Sequence, residues 1–126
     1  MERDEIMRRF VLNAISDDYE NIDQVILAEV SKDTARCGLK IERLEVVEAL
    51  SGLIRDGFAK AYILSGTEPY CQEITGIPKV DEREEDFKTY FYITLKGSEF
   101  QTSHDAWWPF DDEDNLRPDW LLESAT

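Results

Sequence analysis

The side chains that could do chemistry in this sequence are few, and they form no recognisable catalytic arrangement. The single histidine, His104, has no neighbouring cysteine or serine motif, so we interpret it as a surface residue. The two cysteines, Cys37 and Cys71, lie far apart and lack the spacing of zinc ligands. No glycine-rich phosphate loop, nucleophile elbow or HExxH motif is present. The sequence therefore predicts a protein that is not an enzyme and holds no cofactor.

An acidic run near the end of the chain offers oxygen ligands of the kind that calcium prefers. Residues 111–115 read DDEDN, but they lack the alternating ligand spacing and the central glycine of a calcium loop. Asp and Glu account for 28 of the 126 residues, so neighbouring carboxylates identify no acid–base couple either. We interpret the run as a solvated acidic turn and predict no metal site.

The charge balance is the strongest signal in the composition. Lys and Arg total 14 against 28 Asp and Glu, which gives a formal net charge of −14. Residues 1–64 carry a net charge of −4 and residues 65–126 carry −10. A protein that binds nucleic acid through its phosphates needs a concentrated positive face. The composition therefore disfavours a generic DNA binder, most strongly for the second half of the chain.

The length and the hydropathy pattern predict one folded domain. A chain of 126 residues that is 42% hydrophobic can bury a core despite its charge. Its first ten residues mix both charges without an apolar run, so no signal or transit peptide is predicted. No apolar stretch reaches the length that spans a bilayer. We expect a cytoplasmic protein without a membrane contact.

Three stretches carry apolar residues at the three- and four-residue spacing of an amphipathic helix. They cover residues 3–16, residues 22–38 and residues 44–57, and the second and third end at a glycine. Glycine is the usual residue after a helix because it adopts a positive φ without strain. The sequence therefore predicts three helices that share one core.

The period of the apolar residues changes after the third helix. Residues 58–64 and 87–95 are rich in aromatic and β-branched side chains and predict one antiparallel strand pair. The connection between them, about residues 66–86, is much longer than an ordinary hairpin loop. Residues 96–101 predict a short helix after the second strand.

This order of elements, with two local motifs, resembles the winged helix–turn–helix superfamily. Residues 49–58, ALSGLIRDGF, resemble the exit from the third helix in that superfamily, where a leucine-rich face ends at a glycine and a hydrophobic residue. Residues 90–97, YFYITLKG, resemble the second wing strand and the next helix start in the MarR-like and PadR-like regulators. The resemblance implies an α+β winged helix: a three-helix bundle, a two-stranded β-hairpin wing, a short C-terminal helix and a tail. We expect the domain to cover residues 1–103 and the tail residues 104–126.

In DNA-binding members of the superfamily, the third helix enters the major groove and cations of the wing contact the backbone. The resemblance places Lys40 and Arg43 at the third helix of this chain, and Lys60 and Lys88 on its wing strands. Residues 65–86 carry seven acids against two basic side chains, however. A DNA contact would then need the basic residues of the helical half to converge: Arg3, Arg8, Arg9, Arg36, Lys40 and Arg43.

The tail, residues 104–126, contains all three tryptophans of the chain, interleaved with acids. Tryptophan is a common anchor of protein interfaces, so the following residues are predicted to bind a partner: Trp107, Trp108, Phe110, Trp120 and Leu121. Two alternatives remain open. The tail folds back onto its own domain, since exposed indoles are costly, or it docks on a neighbouring subunit.

Three functional hypotheses follow. The first is a non-enzymatic winged-helix protein that acts through protein–protein contacts, as a homodimer or a regulatory adaptor. The second is a DNA-binding transcriptional regulator that uses the third helix and the wing. A minor third is an acidic DNA mimic that occupies a nucleic-acid-binding protein. The local charges favour the first hypothesis over the second.

Overall fold

A computed structural model describes residues 1–78, 88–103 and 107–120, which form an α+β fold with four helices and a four-stranded antiparallel sheet. The helices are α1 (Arg3–Ala14), α2 (a π-helical turn at Ile22–Ile26 followed by an α-helix at Leu27–Arg36), α3 (Arg43–Arg55) and α4 (Leu95–Thr102). The strands are β1 (Glu20–Asn21), β2 (Ala59–Leu64), β3 (Cys71–Ile74) and β4 (Thr89–Ile93). None of the described helices is both long enough and apolar enough to cross a membrane.

The three helices predicted from the apolar spacing are confirmed, and they enclose one core. α1 packs against both α2 and α3. Phe10 of α1, Val30 of α2 and Leu50 of α3 all lie inside the same buried cluster. Because burial of apolar surface is the main favourable contribution to folding, the three stripes explain why these segments associate.

The sheet is larger than the predicted hairpin. Its strand order is β1-β4-β2-β3, and all neighbouring pairs are antiparallel. The predicted pairing of β2 with β4 is confirmed, with Ala61 opposite Phe91. The prediction of two strands is wrong, because β1 pairs with β4 and β3 pairs with β2. β3 lies within the segment predicted as a wing loop, and residues 79–87 of that segment lie outside the described residues.

A junction between the end of α3 and the start of α4 explains the two sequence motifs. Gly57 ends α3 with a φ of 82°, a conformation that a side chain disfavours. The Thr94 hydroxyl donates a hydrogen bond to the Gly57 carbonyl at 2.7 Å and accepts one from the Gly97 N–H at 3.0 Å. A Cβ at Gly97 would overlap the Phe58 carbonyl oxygen. Thr94, Gly57 and Gly97 therefore fix the start of α4 against Phe58, which follows the turn at the end of α3.

The described part of the tail, residues 107–120, folds back onto α1. The Phe10 ring contacts the Trp108 ring edge-on at 5.8 Å and the Trp120 ring at 5.3 Å between centroids. Trp120 is only 1% exposed, and it belongs to the same buried cluster as Phe10. Trp107 and Trp120 therefore follow the alternative in which the tail folds back onto its own domain.

We expect Gly97→Ala to destabilise the protein by about 1–3 kcal/mol, because its Cβ has to displace the Phe58 carbonyl group. The same substitution at an unconstrained helix position would stabilise the helix. Urea unfolding of the purified variant measures the difference. Gly66→Ala is the matched control because nothing lies within 4 Å of its Cβ position. Equal stability of the two variants would contradict the packing role of Gly97.

Candidate functional site

Arg43, one of the predicted DNA-contacting cations, forms an ion pair that is largely shielded from solvent. It is the first residue of α3, and Asp23 lies in the first turn of α2. Arg43 Nε lies 2.7 Å from Asp23 Oδ1, and Arg43 Nη2 lies 2.8 Å from Asp23 Oδ2. The two side chains are only 15% and 8% exposed. This is the bidentate geometry that guanidinium groups form with carboxylates, so Asp23 holds the Arg43 head group against α2.

A second ion pair occupies the same turn of α3. Glu45 accepts a hydrogen bond from Arg3 Nε at 2.7 Å and one from Arg3 Nη2 at 2.9 Å. Glu45 Oε1 also accepts a hydrogen bond from the Glu42 backbone N–H at 3.3 Å. The hydrogen bond from Arg3 lowers the pKa of the Glu45 carboxyl group. The start of α3 is thus an acid-rich turn tied to α1 and α2.

The two predicted DNA cations of the wing strands, Lys60 and Lys88, lie apart from each other. Lys60 on β2 lies 3.0 Å from Glu73 on β3, and the hydrogen bond to Glu73 raises the pKa of Lys60. Lys40 and Lys88 are exposed. Lys88 precedes Thr89, which pairs with Ile63, so roughly 10–13 Å of strand separates it from Lys60. The structure places Lys60 and Lys88 at separate points of the sheet.

The other arginines of the predicted positive face are also paired with carboxylates of the same chain. Arg8 pairs with Asp56, and Arg9 pairs with Glu5 one helical turn earlier. Arg36 of α2 pairs with Asp114 of the tail, and its guanidinium carbon lies 3.7 Å from the centre of the Phe110 ring. Of these pairs, only Arg9 with Glu5 has a local spacing that sequence inspection can find.

The middle of α3 also has a neighbour that the sequence did not indicate. Pro78, at the end of a described range, lines a small apolar slot together with Val47, Ser51 and Ile54 of α3. The chain that leaves β3 therefore returns to α3. At the first turns of α3, the side chains left to solvent include Leu44, which is 38% exposed, and Glu48.

The predicted partner-binding residues of the tail are largely internal. Trp107, Phe110 and Trp120 are buried and Trp108 is half-buried, whereas Leu121 lies outside the described residues. Arg117 Nε donates a hydrogen bond to the Trp108 carbonyl at 3.1 Å, which closes the tail on itself. Partner binding by these residues stays a prediction, and their burial leaves little indole surface for it.

The sheet has an aromatic outer face that the sequence analysis did not identify. The Tyr19 ring stacks on Tyr92 at 4.8 Å and meets Tyr62 edge-on at 5.0 Å between centroids. Tyr62 and Tyr92 alternate along β2 and β4 with the buried Ala61 and Phe91, so they lie on the face opposite the core, where Tyr19 packs on both. Burial, followed by the neighbouring Cys71, raises the pKa of Tyr19.

The described residues provide little that resembles a reaction centre. No group of three His, Cys, Asp or Glu residues within them could hold a metal ion. Burial raises the pKa of the Cys37 thiol, which disfavours the reactive thiolate. α1 and α3 border an open cleft of about 290 Å³, and its lining mixes Asp4 and Glu48 with Arg8 and Arg55. Such a mixture selects no single class of ligand.

Comparisons with protein-family models, curated proteins and solved structures return no match to this chain.

Three carboxyl groups, one in β1 and two along α2, have raised pKa values. Burial, followed by repulsion from Asp18, raises the pKa of Glu20. Burial and then Asp33 raise the pKa of Glu29, and burial raises the pKa of Asp33 against the opposing effect of Arg36. The folded state therefore binds protons at these groups more tightly than the unfolded chain does.

We expect the ion pair between Arg43 and Asp23 to stabilise the fold. Asp23→Ala leaves the Arg43 guanidinium nearly buried without its carboxylate, which should cost about 2–4 kcal/mol in the free energy of unfolding. Urea unfolding is the measurement, and Lys60→Ala, in a half-exposed surface pair, is the control with no resolvable change expected. In a double-mutant cycle, Arg43→Met should recover part of the loss. A loss no larger than that of the control would contradict this role.

The raised carboxyl pKa values predict a pH dependence. The stability that Glu20, Glu29 and Asp33 contribute is present below their ordinary pKa values and is lost as the pH rises from there through their higher folded-state pKa values. A variant with Glu29→Gln and Asp33→Asn should lose less stability over this interval, measured by urea unfolding at each pH. Glu68→Gln with Glu99→Gln removes equal charge from exposed sites. The same pH dependence in both variants would refute the assignment.

Proposed function

We propose that this chain is a winged-helix protein that acts through protein–protein contacts, as a homodimer or a regulatory adaptor, and not through DNA. The described residues support the proposal in two ways, through the order of the elements and through the state of α3. Neither argument uses the composition alone.

The order of the elements supports the winged-helix assignment. α1 leads into β1, and α2 and α3 follow before the strands β2 and β4. β1 joins β4 with Glu20 opposite Phe91, so the short strand after α1 completes the sheet that follows α3. Three helices followed by the antiparallel pair of β2 and β4 is the order that the resemblance implies, and β1 and β3 extend that pair on its two sides.

The main support for a function without DNA is the first turn of α3, whose charged side chains are paired within the chain. In helix–turn–helix proteins that bind DNA, the first residues of the recognition helix reach the base edges. Here Arg43 is held by Asp23, and Glu45 is held by Arg3. Glu48 and the apolar Leu44 remain on the solvent side. A carboxylate and a leucine are poor contacts for a groove bordered by phosphates.

The alternative function is DNA binding, which would use Lys40, Arg43, Lys60 and Lys88. The experiment described next distinguishes it from the proposed function. Lys40 and Lys88 are exposed and lie just before the start of α3 and of β4, whereas Lys60 is exposed and paired with Glu73. A DNA contact through them alone would be weak and strongly dependent on salt.

Fluorescence anisotropy with a labelled 30-base-pair duplex pool tests the proposal. At about 50 mM salt we expect no saturable binding up to about 10 µM protein. A variant with Asp23→Asn and Glu45→Gln releases both arginines at α3 and should bind more than wild type. Glu99→Gln with Glu113→Gln, on α4 and in the tail, matches the charge change and should not. Saturable wild-type binding that Lys40→Ala weakens would overturn the proposal.

Native mass spectrometry of the tagged chain, purified from cells that produce it, tests the positive half. We expect a stoichiometric complex with a second copy or with one other protein. Recovery as a monomer, or with nucleic acid, contradicts a role through protein contacts.

A further inference from the structure

β3 is an edge strand with an open side. It pairs with β2 and is the last strand in the order β1-β4-β2-β3. Its residues 71–73 are exposed on both faces, and no other strand of the described residues pairs with its outer side. An open edge presents backbone donors and acceptors that favour pairing with another strand.

The register identifies the backbone groups that face outward. Ser65 donates its N–H to the Tyr70 carbonyl at 2.9 Å, so these two residues form a hydrogen-bonded pair. In an antiparallel ladder such pairs alternate with unbonded pairs. Leu64 with Cys71 and Tyr62 with Glu73 are therefore unbonded pairs. The N–H and carbonyl groups of Cys71 and Glu73 point away from β2, along the open edge.

The edge is apolar and nearly neutral on a strongly acidic molecule. Ile63, Tyr70 and Ile77 are 43%, 61% and 44% exposed, which makes them three of the five exposed large apolar side chains of the described residues. Lys60 and Glu73 form an ion pair, and the only other charge in residues 59–78 is Glu68. Two molecules that each carry −14 repel one another least where they meet at such a surface.

We propose that β3 pairs with β3 of a second copy, antiparallel about a two-fold axis at Gln72, so that the two four-stranded sheets become one. This rests on the homodimer form of the proposed function. The symmetry makes the interface isologous: each contact occurs twice. Cys71 of each copy exchanges hydrogen bonds with Glu73 of the other, for about four backbone bonds in total.

The edge chemistry selects this register over its neighbours. Only residues whose backbone groups point outward can hydrogen-bond across the new interface. The neighbouring registers therefore place the two-fold axis one residue away from Gln72, at Glu73 or at Cys71. An axis at Glu73 places two Glu73 carboxylates directly opposite, which is destabilising. An axis at Cys71 places Glu73 opposite Pro69, which has no N–H.

The side chains agree with an axis at Gln72. Tyr70, Gln72 and Ile74 share one face of β3, the face that Ile63 occupies on β2. Pairing about Gln72 sets Tyr70 of each copy against Ile74 of the other and brings the two Gln72 amides together. Aromatic and β-branched cross-strand pairs stabilise antiparallel sheets. The dimer thereby covers the exposed Tyr70 rings.

Sedimentation velocity of the purified full chain tests the dimer. We expect a monomer–dimer equilibrium over about 1–300 µM that shifts toward dimer as added salt screens the like charges. Glu73→Pro removes an outward N–H and leaves the ladder to β2 intact, so it should weaken dimerisation at least tenfold. Glu73→Ala removes the same carboxylate, keeps the N–H and should dimerise like wild type.

Disulfide trapping tests the register and does not require the proline variant to fold. In a Cys71→Ser background, Gln72→Cys places two thiols at an unbonded pair with a Cα separation of about 4.5–5.5 Å, which a disulfide can span. Glu73→Cys places them about 8 Å apart, beyond that range. Cys71→Ser alone controls for Cys37. Mild oxidation should give a covalent dimer only with Gln72→Cys.

The outcomes separate this inference from the proposed function. A chain that is monomeric at all concentrations and forms no covalent dimer overturns the β3 pairing, and a peptide strand of another protein could then occupy the edge. A dimer that is unaffected by Glu73→Pro, or that is trapped by Glu73→Cys and not by Gln72→Cys, overturns it too. DNA binding by wild type refutes the proposed function and leaves the dimer standing.

Discussion

The chain has few cations, and ion pairs between its arginines and its own carboxylates are the interaction on which the arrangement of the helices and the tail depends. Arg43 links α3 to α2 through Asp23, and Arg3 links α1 to α3 through Glu45. Arg36 links α2 to the tail. In a chain with twice as many acids as bases, these contacts join the helices and at the same time remove positive charge from the surface.

The apolar part of the molecule is organised around α1. Its inner side meets α2 and α3, and Phe10 at its centre also receives the indoles of Trp108 and Trp120. The Arg9 guanidinium lies over both Trp107 and Trp120, at 5.1 and 5.3 Å from the ring centres. The tail therefore extends the core of the three helices. Asp112, Glu113 and Asp114 remain exposed between Phe110 and Trp120, which turn inward.

The sequence predicted the elements whose signals are local and missed those whose signals are not. The apolar stripes of the three helices, the turn at Gly57 and the hydrogen bond from the Gly97 N–H to Thr94 act within a few positions, so inspection finds them. β1 has two residues and β3 is exposed on both faces, so neither shows the alternation that marks a strand. The candidate site shows the same difference between local and distant signals. Lys40 and Arg43 could be placed near α3, but nothing in the sequence relates Arg43 to Asp23, 20 positions away.

The edge at β3 and the first turn of α3 differ in the charge that they present to solvent. With the first turn of α3 held by Asp23 and Arg3, the surface that a winged helix would offer to DNA carries carboxylates. β3 meanwhile gives the sheet a new outer edge on which Lys60 neutralises Glu73. The acids elsewhere repel nucleic acid and like-charged proteins alike. In the proposed dimer they direct association to the β3 edge, a part of the described surface that combines open backbone groups, apolar side chains and little charge. On this view, the acidity of the chain selects where it binds as well as what it rejects.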